Sequence, residues 1–275
     1  MDTHETRAKA PSRFLLLAEG RALYELGLLP FALPFLSQAP HGDGHAVLVL
    51  PGFLADDSST APLRTYLKSL GYAPYKWALG RNLGLRKNLI EQMLVRLQRV
   101  YWESGRKVTL IGWSLGGIYA RELARQAPGQ VRAVISLGSP FTNDPKANHA
   151  WKLFELLSGV NLDDMDPAER GFNSTPLPVP STSIFSRSDG ITSWRCCLQR
   201  ETATSESIEI LEGSHMGLGH NPLALYAIAD RLAQPEGTFR KFARVGAMKL
   251  LYPDPHRRGG WGSFLGEPLR IPAVR

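Results

Sequence analysis

Ser114 is the residue whose surroundings most clearly fit a chemical role. It lies at the centre of Gly112-Trp113-Ser114-Leu115-Gly116, and this G-x-S-x-G spacing is typical of a strand that turns sharply into a helix. The glycines two positions before and after the serine lack the Cβ atoms that would collide at such a corner. The corner would expose the hydroxyl beside a helix N-terminus, which favours developing negative charge. The pattern therefore indicates a nucleophile for acyl transfer.

A serine hydroxyl needs a base to act as a nucleophile at neutral pH, and the base needs an orienting partner. The histidines that follow Ser114 are His149, His215, His220 and His256. His215 is the candidate base because it follows an expected strand at residues 207–211, and open α/β sheets place their sites at the carboxyl ends of strands. His220, five residues later and next to a helix cap, is the alternative.

The orienting acid should lie between the serine and the histidine along the chain. Asp189 fits this position, since Ser188-Asp189-Gly190 follows an expected strand at residues 182–186. Its carboxylate would accept a hydrogen bond from one ring nitrogen of His215 and stabilise the imidazolium formed on proton transfer. The alternatives lie in an irregular acidic segment and are Asp163, Asp164 and Asp166.

Acyl transfer also requires hydrogen-bond donors for the tetrahedral oxyanion. The backbone N–H of Leu115, directly after the serine, is one candidate. The backbone N–H of Phe53 is the second, because Pro51-Gly52-Phe53 follows the first expected strand. Arg81 and Asn82 follow a short strand at the same expected edge, but the sequence assigns them no role.

Strands and helices alternate along most of the chain. We expect strands at residues 46–50, 72–77, 108–111, 131–137, 182–186 and 207–211, and helices at about 60–70, 85–102, 115–126, 147–158 and 222–233. Continuous apolar strands are typical of strands that are buried on both faces of a parallel sheet. The pattern predicts an α/β fold with a mostly parallel central sheet flanked by helices.

At these residues the chain resembles the α/β-hydrolase superfamily, and within it the bacterial lipase/esterase-like members. The matching segments are residues 48–53, 112–117, 137–140, 188–190 and 214–215. The resemblance implies a serine esterase or lipase that acts through an acyl-enzyme, with no metal and no organic cofactor. The same triad serves acyltransferases, thioesterases and polyester hydrolases, and a non-catalytic scaffold of this fold is a further alternative. One departure is Pro51-Gly52, where many such lipases carry His-Gly; the backbone donor survives this change.

Residues 141–178 interrupt the alternation of strands and helices, at a place where the family often inserts a helical cap or lid. We expect an acyl pocket to include Trp113, Trp151 and Phe154, because ligand pockets are lined mainly by apolar and aromatic side chains. The alternative for each side chain is ordinary packing on the sheet.

The length of 275 residues fits a single domain. We expect a core at about residues 46–233, an N-terminal helical segment at 12–40 and a C-terminal tail at 237–275. The formal net charge is +7, but the basic residues are scattered, so we expect a solvated surface and no nucleic-acid partner. The expected partner is a small-molecule or lipid ester. Cys196 and Cys197 are adjacent, which makes a structural disulfide between them unlikely to fit standard geometry.

The apolar stretch at residues 14–36 contains Glu19, Arg21, Glu25, Pro30 and Pro34. These residues argue against a membrane-spanning helix. We instead expect an amphipathic helix at about residues 12–29 that packs on its own domain, with contact with a lipid surface as the alternative. The first residues lack the basic start of a signal peptide, so a cytoplasmic location, with or without membrane association, is expected.

Overall fold

Six parallel strands form one sheet at the centre of the protein. The computed structural model describes residues 8–142, 147–158 and 174–257. The strands are β1 (Ala46–Leu50), β2 (Ala73–Lys76), β3 (Val108–Trp113), β4 (Val131–Leu137), β5 (Ser181–Phe185) and β6 (Ser205–Glu209). Their order across the sheet is β2-β1-β3-β4-β5-β6, and every neighbouring pair is parallel. The predicted α/β fold with a parallel central sheet is therefore confirmed.

Helices cover both faces of this sheet. They are α1 (Arg13–Leu17), α2 (Ala22–Leu36), α3 (Ala61–Ser69), α4 (Leu89–Ser104), α5 (Leu115–Gln126), α6 (Trp151–Ser158), α7 (Pro222–Leu232) and α8 (Met248–Leu251). Val47 and Val49 of β1 belong to the core formed with α3 and α7, whereas Ala46, Leu48 and Leu50 belong to the core formed with α4 and α5. Successive side chains of a strand point to opposite faces, so one apolar run serves both cores.

The strands all run in one direction, so their carboxyl ends share one edge of the sheet. The segments that follow β1, β3, β4, β5 and β6 carry Phe53, Ser114, Gly138, Asp189 and His215 respectively. The topology therefore places every predicted catalytic and oxyanion-binding segment along the edge where open α/β sheets hold their sites.

The N-terminal segment is a broken helix that is longer than the sequence predicted. A 3₁₀ turn at Ala18–Arg21 links α1 to α2, and α2 continues through Pro30 and Pro34. The predicted end near residue 29 is therefore wrong. Packing explains the difference, because Phe35 stacks on Tyr226 of α7 with ring centroids 4.7 Å apart, and tertiary contacts outweigh local helix propensity. In the described part of the chain, no helix is long and apolar enough to cross a membrane.

Several other segments also differ from the sequence prediction: α4 begins at Leu89 rather than near residue 85, and α6 begins at Trp151 rather than near residue 147. Strand β6 begins at Ser205, two residues before the predicted start, because its glutamates are paired rather than exposed: Glu206 lies 2.5 Å from Arg231. Beyond Gly237 the chain looked weakly patterned, yet α8 packs back onto the sheet, and Tyr252 is fully buried. Cys196 and Cys197 are both buried.

The predicted cap or lid at residues 141–178 coincides with α6, but residues 143–146 and 159–173 lie outside the described chain. The alternative acids Asp163, Asp164 and Asp166 lie there too. The lid therefore stays a prediction, and so does the part of the C-terminal tail from residue 258 onward.

Candidate active site

The corner between β3 and α5 holds Ser114 in a conformation that few residues adopt. Its φ is 53° and its ψ is −121°, and a positive φ is strained for any residue with a Cβ. The Ser114 N–H donates to the Leu137 carbonyl at 2.8 Å, which ties the corner to β4. A Cβ on Gly112 would overlap the backbone of Gly116, and one on Gly116 would overlap the Leu50 carbonyl. The glycine spacing is therefore what this corner requires.

Asp189 and His215 form a buried hydrogen-bonded pair. The Asp189 Oδ2 atom lies 2.6 Å from His215 Nδ1, and the two residues are 3% and 5% exposed. The other carboxylate oxygen of Asp189 accepts hydrogen bonds from the backbone N–H groups of Ile191 at 2.9 Å and Thr192 at 2.7 Å. Because both oxygens are engaged, the carboxylate can hold the imidazole ring in one orientation.

The electrostatic surroundings of His215 favour its protonated form. Burial opposes charging of the imidazole, but the charge and hydrogen bond of Asp189, together with the charge of Glu19, raise the pKa of His215 above its ordinary value of 6.5. A base with a raised pKa accepts a proton more readily, and a partner carboxylate stabilises the imidazolium that results. Proton transfer from a serine hydroxyl requires such an environment.

Ser114 and the Asp189–His215 pair approach the end of β4 from opposite sides. A Cβ on Gly138, directly after β4, would lie 3.1 Å from His215 Nδ1 and 3.2 Å from Asp189 Oδ2. On the other side, Trp113 donates its indole N–H to the His215 carbonyl at 3.0 Å. The hydrogen bonds between described residues thus join His215 to Asp189 and to Trp113, and none of them joins it to the Ser114 hydroxyl.

The loop after β1 approaches the same corner. A Cβ on Gly52 would lie 3.4 Å from the Ser114 Cβ, which places the adjacent backbone of Phe53 beside the serine. Among the described residues, neither the Phe53 N–H nor the Leu115 N–H has a backbone acceptor. The assignment of these two N–H groups as oxyanion donors stays a prediction.

Comparisons with known proteins support the fold of this chain. The profile of a PGAP1-like alpha/beta domain matches residues 75–179, which include Ser114 but neither Asp189 nor His215. A monoacylglycerol lipase from Paleococcus ferrophilus superimposes with a TM-score of 0.51 at 17% identity, over 71% of this chain and 96% of that one. Lipase B from Aspergillus fumigatus gives 0.53 at 16% identity, over 73% and 55%. By these two superpositions the chain has the α/β-hydrolase fold. No curated protein sequence matches it significantly.

The predicted pocket residues fall into two groups by their contacts. Phe154 of α6 contacts Phe53, with ring centroids 5.7 Å apart. Trp113 packs its ring against Gly219, where a Cβ would lie 2.7 Å from the indole. Trp151 begins α6 and is partly buried. Phe154 thus packs on the loop after β1, whereas Trp113 packs against the core and the His215 loop, and the acyl pocket stays a prediction.

Asn82 has a structural role at this sheet edge that its sequence context did not reveal. Asn82 is fully buried. Its side-chain amide donates to the Pro51 carbonyl at 2.9 Å, and its backbone carbonyl accepts a hydrogen bond from the Leu54 N–H at 2.7 Å. Asn82 therefore fixes both ends of the loop that carries Phe53. In the sequence only its position after β2 placed Asn82 at this sheet edge, and that position did not identify its hydrogen-bond partners.

His220, the alternative base, takes no part in the pair. Its Nε2 lies 2.9 Å from the Ala22 carbonyl, so this ring binds the N-terminal segment. The same segment also inserts the buried carboxylates of Glu19 and Glu25 behind the His215 loop. In the sequence these two residues only interrupted an apolar stretch, which gave no indication of contact with the site.

Proposed function

We propose that this α/β-hydrolase is a serine carboxylic ester hydrolase in which Ser114 is the nucleophile, His215 the base and Asp189 the orienting acid. The observation that carries the proposal is the Asp189–His215 hydrogen bond of 2.6 Å at the same sheet edge as the strained Ser114 corner. A buried, oriented imidazole at the same sheet edge as a strained serine supports nucleophilic acyl transfer.

The reaction begins when His215 takes the hydroxyl proton of Ser114 and the serine oxygen attacks the ester carbonyl carbon. The N–H groups of Phe53 and Leu115 stabilise the oxyanion that forms. Its collapse breaks the bond to the alcohol, which leaves with the proton from His215, while the acyl group stays on Ser114. A water molecule then gives a proton to His215 and attacks the acyl carbon. Release of the carboxylic acid returns a proton to Ser114.

An ester with an apolar acyl group is the substrate class that this site supports best. Phe53 of the loop after β1 contacts Phe154, and Trp113 directly precedes Ser114; aromatic side chains favour an apolar ligand. The two structures similar in fold are both named as lipases, which agrees with an ester as the substrate.

Replacement of Ser114 tests the proposal. We expect Ser114→Ala to reduce the turnover of p-nitrophenyl esters by about 10³-fold or more, because the mutant lacks the nucleophile. Wild-type protein should react covalently with a fluorophosphonate probe, and the mutant should not. Ser69→Ala, which changes an exposed serine at the end of α3, serves as the matched control and should retain both properties.

Two outcomes would contradict the assignment. A folded Ser114→Ala protein with wild-type turnover would remove Ser114 from the reaction. Wild-type protein that neither turns over esters nor reacts with the probe would point instead to a non-catalytic scaffold. Product analysis with an added alcohol separates hydrolysis from acyl transfer, since only a transferase forms the new ester as its main product.

We also propose that the outer side of the N-terminal segment contacts a lipid surface. Phe14, Leu17 and Phe31 are 77%, 83% and 82% exposed, although the charged Glu19 and Glu25 of the same segment are buried. Exposed apolar side chains next to a site for esters fit a protein that takes its substrate from a membrane or lipid droplet.

Vesicle co-sedimentation tests this contact. We expect the double variant Leu17→Ser/Phe31→Ser to bind phosphatidylcholine–phosphatidylglycerol vesicles at least tenfold less than the wild type, because about 1.5–3 kcal/mol is lost for each large apolar side chain that no longer inserts. Trp102→Ser, which removes a 72% exposed aromatic from α4, is the control. Equal binding by the double variant and the wild type would rule the contact out.

A further inference from the structure

A single side chain joins the two loops that carry the proposed acid and base. The Oε1 atom of Glu19 accepts hydrogen bonds from the N–H of Gly190 at 2.7 Å and from the N–H of His215 at 3.0 Å. Its Oε2 atom accepts from the N–H of Met216 at 2.9 Å. Gly190 directly follows Asp189, so one carboxylate binds the backbone beside the acid and the backbone of the base.

Two neighbouring side chains extend this connection. Arg21 Nη2 donates to the Ser188 carbonyl at 2.6 Å and to the Gly213 carbonyl at 3.1 Å, so it also joins the two loops. Glu25 contacts the histidine loop alone, where it accepts from the Ser214 N–H at 2.8 Å. Its other oxygen accepts from the Asn221 side chain at 2.8 Å. The N-terminal segment thus binds donors and acceptors of both loops.

The orientation of the N-terminal segment argues against simple apolar packing as its role at this edge. A surface helix ordinarily buries its apolar side chains and exposes its charges. Here Glu19 and Glu25 are each 5% exposed, whereas Phe14 and Leu17 are more than three-quarters exposed. A buried carboxylate is costly unless hydrogen bonds satisfy it, and the loop N–H groups supply those bonds.

Two glycines make the approach of the segment feasible. A Cβ on Gly190 would overlap the Leu15 backbone, and a Cβ on Gly217 would overlap the Glu25 carboxylate. Neither glycine has a positive φ. Close contact with the N-terminal segment, rather than backbone conformation, therefore explains why a side chain does not fit at either position.

We propose that Glu19 is a positioning residue for the reaction, holding the Asp189 loop and the His215 loop at the separation the pair needs and presenting a second negative charge to the imidazole. The inference rests on the proposed ester hydrolase function. By this inference the N-terminal segment positions the reacting groups, although the segment contributes no group that touches substrate.

Glu19 and Glu25 differ in their effect on the pKa of His215. Asp189 faces the ring from the loop after β5, and Glu19 faces its backbone from the 3₁₀ turn. Arg21 and Glu25 lie 3.8 Å apart and bind neighbouring backbone groups. Burial counteracts protonation, but Asp189 and then Glu19 raise the pKa of His215, and Glu25 does not contribute to this shift.

The experiment compares Glu19→Gln with the matched variant Glu25→Gln, using the full-length protein. We expect Glu19→Gln to lower kcat/KM for a p-nitrophenyl ester by about 10²-fold, since small displacements of catalytic groups have effects of this size. The acidic limb of its pH profile should move to lower pH, because one negative charge near the imidazole is lost. The midpoint of Glu25→Gln should stay at the wild-type value. Glu103→Gln, at the exposed end of α4, should leave rate and midpoint unchanged.

A second measurement keeps this inference separate from the proposed function. The midpoint of the His215 ring can be followed by NMR, with His215→Gln used for assignment, and this titration needs no turnover. A lowered midpoint in Glu19→Gln supports the inference even if the wild-type protein fails to react with a fluorophosphonate, a result that would overturn only the hydrolase proposal. Equal midpoints in Glu19→Gln and the wild type would overturn the inference.

Glu19→Asp provides the test if Glu19→Gln does not fold. This variant keeps the charge but is one methylene shorter, so it cannot reach all three N–H groups. We expect kcat to fall at least tenfold while the pH midpoint stays close to that of the wild type. Wild-type kcat in Glu19→Asp would contradict a positioning role.

Discussion

The Ser114 corner and the Asp189–His215 pair reach the same sheet edge by different means. The corner is mainly local, because five consecutive residues between β3 and α5 form it and Gly112 packs against the Gly116 backbone, although Gly116 also packs against the Leu50 carbonyl of β1. The pair depends on remote contacts: Glu19 binds groups that are 171 and 196 positions away in the sequence. Backbone sterics fix the first region, whereas polar contacts between distant segments fix the second. Remote substitutions should therefore disturb the base and the acid more than the nucleophile.

The largest effect is expected from Asp189→Asn, which changes the pair and leaves the corner alone. An Asn at this position could still accept from the Ile191 and Thr192 N–H groups, but its amide nitrogen cannot accept from His215 Nδ1. The imidazole would then favour the wrong tautomer, and we expect kcat to fall by about 10⁴-fold. Ester turnover at the pH optimum measures this loss.

The control for this prediction is Asp254→Asn, which changes a carboxylate with 57% side-chain exposure. It should retain wild-type kcat. A folded Asp189→Asn protein with less than tenfold loss would show that the pair does not orient the base.

Gly116→Ala should disturb the corner and leave the pair in place. The added Cβ would overlap the Leu50 and Pro51 carbonyl oxygens, so the end of β1 must shift. We expect the free energy of unfolding to fall by about 1–3 kcal/mol, as for other overpacked sites, and urea denaturation measures it. At Gly129 nothing lies within 4 Å of an added Cβ, so Gly129→Ala should change the free energy of unfolding by less than about 0.5 kcal/mol. Equal stability of the two variants would contradict the steric account of the corner.

The smallest effect concerns the pH dependence of the pair. Below the pKa of His215 the protonated ring cannot accept the Ser114 proton, so kcat/KM should rise with pH through that pKa. Because Asp189 and Glu19 raise this pKa above 6.5, the acidic limb should have its midpoint above pH 6.5. A midpoint below 6.5 would contradict the electrostatic description of the pair.

The same shift has a consequence for stability. A folded-state pKa above the unfolded value stabilises the protein at pH values below the unfolded pKa, and this contribution disappears as pH rises through the folded-state pKa. Unfolding of the wild type and His215→Gln at several pH values should therefore show a difference that shrinks from about pH 6 upward. A constant difference would contradict the coupling.

The sequence predicted the elements whose determinants are local. Strands β1 and β4 and helix α5 have the predicted bounds, because continuous apolar runs and nearby glycines and prolines specify them. Strand β6 was placed two residues late, since Glu206 looks exposed in the sequence and is in fact paired with Arg231 of α7. The end of α2 was also misplaced, because its contact with Tyr226 is not visible in the local pattern.

The candidate site likewise has a part that the sequence predicted and a part that only the structure revealed. The sequence by itself determined the local pattern of the Ser114 corner, since the strand, the helix and the two glycines lie within a few residues, although the contact of Gly116 with the distant Leu50 carbonyl is visible only in the structure. It also ordered Asp189 and His215 along the chain. Only the tertiary structure showed that these two side chains are paired, that Asn82 fixes the Phe53 loop, and that Glu19 joins the acid and base loops. The physical reason is that a buried polar group needs a specific partner, and that partner can lie anywhere in the chain.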